Sequence, residues 1–507
     1  MYKFLFVVFS FLIASSGICA STSYDSAQDI LDKLYQSNGN QIFLKPTLEL
    51  TNDTLNAALF LRRSNKIELS KKAYEACRSM GKDSISALAF ILGHELAHAY
   101  QHDLGAKTTS FLAYDHCQGS NVRQEEMADV QGVFMAYLAG FQTCQILPEI
   151  IDKIYSDFNL SDQLTGYPSL AERQRTTLKV QRLAEELIQV YEAGNYLLSI
   201  GEYELATASF EYVEKWYNGE EVYNNLGVSY AWLAMNFTGK NVDQYLYPFE
   251  VSWTTRMKKP LGKRGEEDLT PAEQIKRREY LQKAKENFTI ASKMSPENLT
   301  ADINILCVLV LQGDYNEAIK HYNRNEISKR ARFNTDRKFL SQTGRLALAL
   351  AYVNSGEEEK ATRIWNDVAK NRDQILAFQA EFNLKVYSEE MFDISESISC
   401  PDYSAPQILI DDVKLHRQKL GNSFLLLKGD NIQLSITTNK NSLLYTYRNA
   451  GRHFSLQRVF NSPLPDAGGF SDNTLITNMG TISTCNEQKI SFLIGANGKI
   501  KEWAKFY

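Results

Sequence analysis

Between residues 41 and 70, apolar and polar positions alternate in short runs, QIFLKPTLELT and NKIELS, a period of two that predicts a small sheet. From residue 84 the period lengthens. SISALAFILGHELAHAYQ (84–101) repeats apolar residues at three-to-four spacing and predicts a helix. A polar interval (103–124) separates it from a second helical stretch, EEMADVQGVFMAYLAG (125–140), with Gly140 as its C-cap. In GYPSLAERQR (166–175), Ser169 and Glu172 have the S-x-x-E spacing of a capping box, which predicts a helix starting at Ser169.

From about residue 180 the pattern is helical and repetitive. Ala284, Phe288, Ala291 and Pro296 open a series that returns at Ala318 and Tyr322, 34 residues after Ala284. Gly313, Tyr315, Ala318 and Tyr322 match the glycine–tyrosine–alanine–aromatic order of tetratricopeptide (TPR) repeats. The order recurs at Gly201, Tyr203, Ala206 and Phe210, and more loosely at Gly356, Ala361 and Trp365. YNNLGVSY (223–230) reads as the first helix of another repeat. Residues 233–275 interrupt the series, and TPAE (270–273) restarts a helix with a threonine N-cap and proline at its first position. After Cys400 the texture becomes β-like, in runs such as NSFLLLKG, NIQLSITT and KISFLIG separated by Gly- and Asn-rich turns.

A chain of 507 residues exceeds one ordinary core and predicts a multidomain protein. Its net charge of −5 carries no bias toward nucleic acid or anionic membranes. The charge run RMKKPLGKRGEED (256–268) switches sign within a few residues and reads as a solvated loop. The N-terminus differs: Lys3, the apolar run FLFVVFSFLI (4–13) and small residues ending in SGICA have the order of a secretory signal cleaved after Ala20. No later segment has eighteen uninterrupted apolar residues, so no transmembrane span is expected in the mature chain. Six cysteines then remain. Sequence does not fix their pairing; Cys117 with Cys144, and Cys400 with Cys485, are the expected pairs, each within one expected domain, with Cys77 and Cys307 then buried thiols.

The chemistry concentrates in HELAH. His94 and His98, four apart, leave one helix face and can converge on one ion, while Glu95 stands one position around the helix, placed to accept a proton from water. A catalytic zinc needs a third protein ligand and one open position. Glu125 supplies the ligand, with Asp129 four residues on to hydrogen-bond a ligating histidine. Glu126 competes for the same role but has no acid four residues later. His102 continues the stripe two turns beyond His94, past the reach of the same ion, and like His116 reads as a polar residue with no part in the site.

HELAH followed by E-x-x-A-D on the next helix resembles the HtpX and CAAX-prenyl-protease family of zinc metallopeptidases. NAALFL with NKIELS resembles that family's substrate-side strand pair, and YPSLAER its H-P-x-x-x-x-R element. The resemblance covers about residues 40–180, and with the leader and repeats it is closest to the soluble periplasmic BepA-like branch. It implies a gluzincin-type α+β fold, one Zn²⁺ per chain on His94, His98 and Glu125, and Glu95 as catalytic carboxylate. The family's histidine before the proline is Tyr167 here, leaving three roles open: weak zinc ligand, donor to a tetrahedral oxyanion, or packing. Arg173 matches the family's arginine, which implies an acidic partner near the site; an exposed arginine in the first helical turn is the alternative.

The expected organisation is a signal peptide (1–20), a zinc metallopeptidase domain (21–178), an all-α TPR solenoid (179–398) and a β-rich C-terminal domain (399–507). The expected activity is hydrolysis of polypeptides, namely misfolded or assembly-stalled envelope proteins, with the segment Asn56–Phe60 adding the substrate as a strand. The repeats would hold a protein client or partner, with peripheral association to envelope machinery and a periplasmic location. The rival reading is a TPR chaperone or assembly factor whose zinc site is structural or latent.

Overall fold

The computed structural model describes residues 24–101, 109–110, 121–160, 169–199, 201–237, 245–252, 255–256, 269–324, 327, 335–371 and 374–388, together with eight strands between 416 and 506. The expected signal peptide, Tyr167, His102, His116, Cys117, Cys400 and most of the charge run at 256–268 lie outside the described residues.

The N-terminal region pairs a small sheet with helices. α1 (Tyr24–Asn38) precedes β1 (Thr47–Thr51), β2 (Ala58–Leu61) and β3 (Lys66–Ser70), and α2 (Lys71–Arg78) leads into α3 (Ser84–Tyr100). The sheet order is β1-β3-β2-β4, where β4 is Thr109–Ser110; β1 and β3 are parallel and the other pairs antiparallel. α3 is apolar on all sides and is buried without interruption from Ala87 to Ala99, so any polar residue in that stretch is buried with it. α4 (Asn121–Leu138) packs along α3 and ends as its sequence predicts: Gly140 has φ +88°, its N–H donates to the Tyr137 carbonyl, and the Phe141 N–H donates to that of Ala136. α5 (Leu147–Asp157) follows.

α6 (Leu170–Ser199) is a 30-residue helix started by the Ser169–Glu172 capping box, with the Ser169 N–H on Glu172 and the Glu172 N–H on Ser169 Oγ. Its first half packs on α4 and α5 and its second half begins a helical array, so one helix carries the chain from one region to the other. The array continues through α7 (Tyr203–Glu214), α8 (Glu220–Met235), α9 (Pro271–Met294), α10 (Thr300–Gln312), α11 (Tyr315–Arg324), α12 (Thr335–Asn354), α13 (Glu358–Val368) and α14 (Gln374–Tyr387). α6, α10 and α12 end on glycines with φ near +85°, at Gly201, Gly313 and Gly356, each closing its helix with the same pair of backbone bonds. The repeated alanines Ala206, Ala284, Ala318 and Ala361 are fully buried, and the aromatics fill the space between helices. Helix pairs fit through a small-to-large complement: a Cβ on Gly194 would lie 2.8 Å from the Phe210 ring, and one on Gly227 2.5 Å from Phe288. α9 starts at the predicted Thr270 N-cap with Pro271 in its first turn, and Glu273 completes a capping box there.

The interrupting segment is not a simple loop. It contains β5 (Glu250–Ser252) and β6 (Thr255–Arg256), and residues 246–249 before them are buried. After the array, two four-stranded antiparallel meanders join edge to edge. β7 (His416–Leu420), β8 (Phe424–Lys428), β9 (Leu434–Thr437) and β10 (Ser442–Arg448) form one. β11 (Asn473–Thr477), β12 (Gly480–Cys485), β13 (Ile490–Ile494) and β14 (Ile500–Phe506) form the other, and β10 pairs with β14. The architecture is therefore mixed, mostly helical, with a β-rich end. Cys77 and Cys307 are buried, as their sequence context predicts, and the Cys144 thiol lies 3.4 Å from the Gln181 carbonyl.

Candidate metal centre

The site forms where α3 and α4 touch backbone to backbone. A Cβ on Gly132 would lie 2.7 Å from the His94 nitrogen and 2.8 Å from the Gly93 carbonyl carbon; one on Gly93 would lie 2.9 Å from the Gly132 oxygen. Only two glycines permit this approach. It brings the α4 positions one and two turns before Gly132 level with the histidines of α3. Those positions are Asp129 and Glu125.

Three donor atoms converge there. His94 Nε2 and His98 Nε2 are 3.0 Å apart, Glu125 Oε2 is 3.2 Å from His94 Nε2, and it is 3.4 Å from His98 Nε2. A small ion bonded to three ligands at about 2.1 Å in tetrahedral geometry sets them about 3.4 Å apart. The observed triangle has that size, and all three residues are buried. His94, His98 and Glu125 can therefore hold a metal ion.

Behind the triangle stands a buried carboxylate and its counter-ion. Asp129 Oδ1 is 2.8 Å from His94 Nδ1, and Arg173 grips Asp129 with Nη1 at 2.8 Å from Oδ2 and Nη2 at 3.1 Å from Oδ1. Arg173 is 1% exposed, which removes the surface-arginine alternative. Burial alone would raise the Asp129 pKa, but Arg173 and His94 outweigh it and hold the carboxyl below its ordinary range. An ionised Asp129 can only accept, so His94 Nδ1 carries the hydrogen and Nε2 faces the triangle. Burial disfavours charge on His94 as well; the Asp129 hydrogen bond and Glu125 reverse this and raise its pKa to about 10. Burial likewise works against a charged Glu125, and the two histidines bring it down to about 2. Arg173 and a protonated His94 thus stand against the Asp129 and Glu125 carboxylates. A bound cation takes the place of the histidine proton.

Glu95, the residue after His94, is fully buried in the same helix. Glu126 points elsewhere: its Oε2 pairs with Lys179 Nζ at 2.6 Å, which answers the competition between the two adjacent glutamates. The segment expected to add a substrate strand forms β2, yet β2 is paired on both sides, by β3 along its length and by β4 at Leu59 and Phe60. That expectation changes because the chain returns at 109–110 and covers the outer edge.

Two features escaped the sequence reading. The Gly93–Gly132 contact left one signal, a glycine inside each of two helices that both carry polar site residues. The second is a bridge from the site to the array: Gln101 Nε2 donates to Gln131 Oε1 at 3.3 Å, and Gln131 Nε2 donates to the Trp216 carbonyl at 3.1 Å. Gln131 lies two residues after Asp129, so the turn between α7 and α8 braces the helix that carries Glu125.

Among known proteins, no family model matches this chain and no curated protein matches it.

Proposed function

We propose that the chain is an exported zinc-dependent metalloendopeptidase, with a gluzincin-type domain around the metal centre and a TPR solenoid that binds clients or partners. The observation that carries this reading is the donor triangle of His94, His98 and Glu125, with edges of 3.0, 3.2 and 3.4 Å, two of whose corners lie on the helix that also holds Glu95. The donor set, two imidazoles and a carboxylate, is the set that suits catalytic zinc. His94, His98 and Glu125 would hold the zinc, which would supply a water of lowered pKa and a Lewis acid for the scissile carbonyl.

The chain's own residues do the rest. Glu95 accepts the proton of the attacking water and returns it to the leaving amine. Asp129 fixes the His94 ring through Nδ1, and Arg173 keeps Asp129 ionised and in place. Substrates are extended polypeptides, in this reading misfolded or stalled envelope proteins met in the periplasm. No helix among the described residues is long and apolar enough to cross a membrane.

The test is cleavage of an unfolded polypeptide by the wild type and by Glu95→Gln at equal zinc content. The expected result is cleavage by the wild type and a loss of at least a hundred-fold in the variant, about the scale of a general base. Equal cleavage by both proteins removes Glu95 from the mechanism. A zinc-loaded wild type that binds the polypeptide without cutting it supports the rival, a chaperone with a structural zinc.

A further inference from the structure

The segment that interrupts the repeats lies in the array in the manner of a bound peptide. Asn383, on α14 and fully buried, holds the backbone of Leu246 with both ends of its amide. The Leu246 N–H donates to Asn383 Oδ1 at 2.7 Å, and Asn383 Nδ2 donates to the Leu246 carbonyl at 3.1 Å. One side-chain amide thus supplies the donor and acceptor that a neighbouring strand would offer. The partners are 137 residues apart in sequence, so this is not a local turn.

Aromatic contacts flank the clamp. Tyr245 packs on Trp365 of α13 at a centroid distance of 5.4 Å. Tyr247 stacks on Phe249 at 6.1 Å, and Phe249 meets Trp232 of α8 at 5.8 Å. Leu246, Tyr247 and Phe249 are at most 4% exposed, and β5, which follows, touches α8 and α10. Backbone recognition by an amide and side-chain recognition by indoles is a division of labour suited to extended chains of varied sequence.

We infer that the array contains a binding site for extended polypeptide, built on Asn383, Trp365 and Trp232, and that residues 245–249 (YLYPF) occupy it in cis. The trans partner is an extended, unfolded segment with aromatic residues at alternate positions, matching Tyr245, Tyr247 and Phe249. Such a segment takes the site when the cis segment leaves it. The inference concerns binding by the array and is independent of hydrolysis at the metal centre.

The test replaces residues 245–249 with Gly-Ser-Gly-Ser-Gly in the full chain and measures binding of a labelled YLYPFE peptide by fluorescence anisotropy. Saturable binding is expected. Adding Asn383→Ala should weaken it about thirty-fold, the effect of two hydrogen bonds of about 1 kcal/mol each. A peptide with its three aromatics changed to serine should not bind. A folded variant that fails to bind YLYPFE, or binds it equally with Asn383→Ala, overturns the inference. If the replacement does not fold, hydrogen exchange in the wild type decides. Excess YLYPFE peptide should accelerate exchange at Leu246, Tyr247 and Phe249 while α10 stays unchanged, and no change at saturating peptide overturns the inference.

Discussion

Two pairs of buried carboxylates in this molecule behave in opposite ways. At the metal centre, Glu125 and Asp129 are held below their ordinary pKa despite burial, because His98, His94 and Arg173 face them. Where α1 meets the array, Glu220 and Glu221 open α8 in surroundings that offer less. Burial drives Glu220 up to about 8, with Glu221 adding to it, and drives Glu221 up to about 7 against a hydrogen bond from the Tyr191 hydroxyl. Glu220 is wedged against Gly39, where a Cβ would lie 2.7 Å from its own Cβ. Burial is similar in the two places, and the difference lies in the groups that lower each carboxylate: histidines and an arginine at the first, Asn298 and the Tyr191 hydroxyl at the second. A site that can hold a metal keeps its carboxylates charged. A joint between packed regions has no such need and neutralises them.

The largest effect is expected when the cation is removed from the first cluster. Arg173→Met should cost ~4 kcal/mol in urea unfolding, because it strands a buried charge on Asp129. The double variant with Asp129→Leu should recover most of that loss. An effect below ~1 kcal/mol for Arg173→Met would mean that Asp129 is not held charged. Gly132→Ala comes next. Its methyl meets the α3 backbone rather than a movable side chain, so ~3 kcal/mol and loss of bound metal are expected, read by urea unfolding and elemental analysis.

The second cluster should respond more weakly and with the opposite sign. Glu220 has a folded pKa raised above the ordinary glutamate value of 4.5. The unfolded chain therefore loses that proton first, and stability falls as pH rises from about 4.5 toward 8. Glu220→Gln should flatten this dependence and add of order 2 kcal/mol at pH 8, measured by thermal unfolding across that range. A wild type whose stability rises with pH from 5 to 8, with no difference in the variant, would place the charge state of Glu220 elsewhere.

Local features were legible because their causes are local. The i,i+4 histidines of α3, the capping box at Ser169, the Thr270 N-cap and the Gly140 end of α4 each depend on residues within one or two turns. The same helical arithmetic applied to α4 sets Asp129 beside a ligating histidine, without saying which, and Arg173 enters through a motif resemblance. The contact of Gly93 with Gly132 and the clamp of Asn383 on Leu246 were not legible, since each joins distant parts of the chain and leaves no periodicity. The edge of β2 was misread for the same reason: nothing near Leu59 announces that residues 109–110 return to pair with it.

The central claim is that His94, His98 and Glu125, and not Glu126, form one metal centre. Elemental analysis of the purified wild type, Glu125→Ala and Glu126→Ala tests it most directly. About one zinc per chain is expected in the wild type and in Glu126→Ala, and a fall to a small fraction in Glu125→Ala. A wild type without stoichiometric metal after zinc loading, or loss of metal in Glu126→Ala with retention in Glu125→Ala, would contradict it.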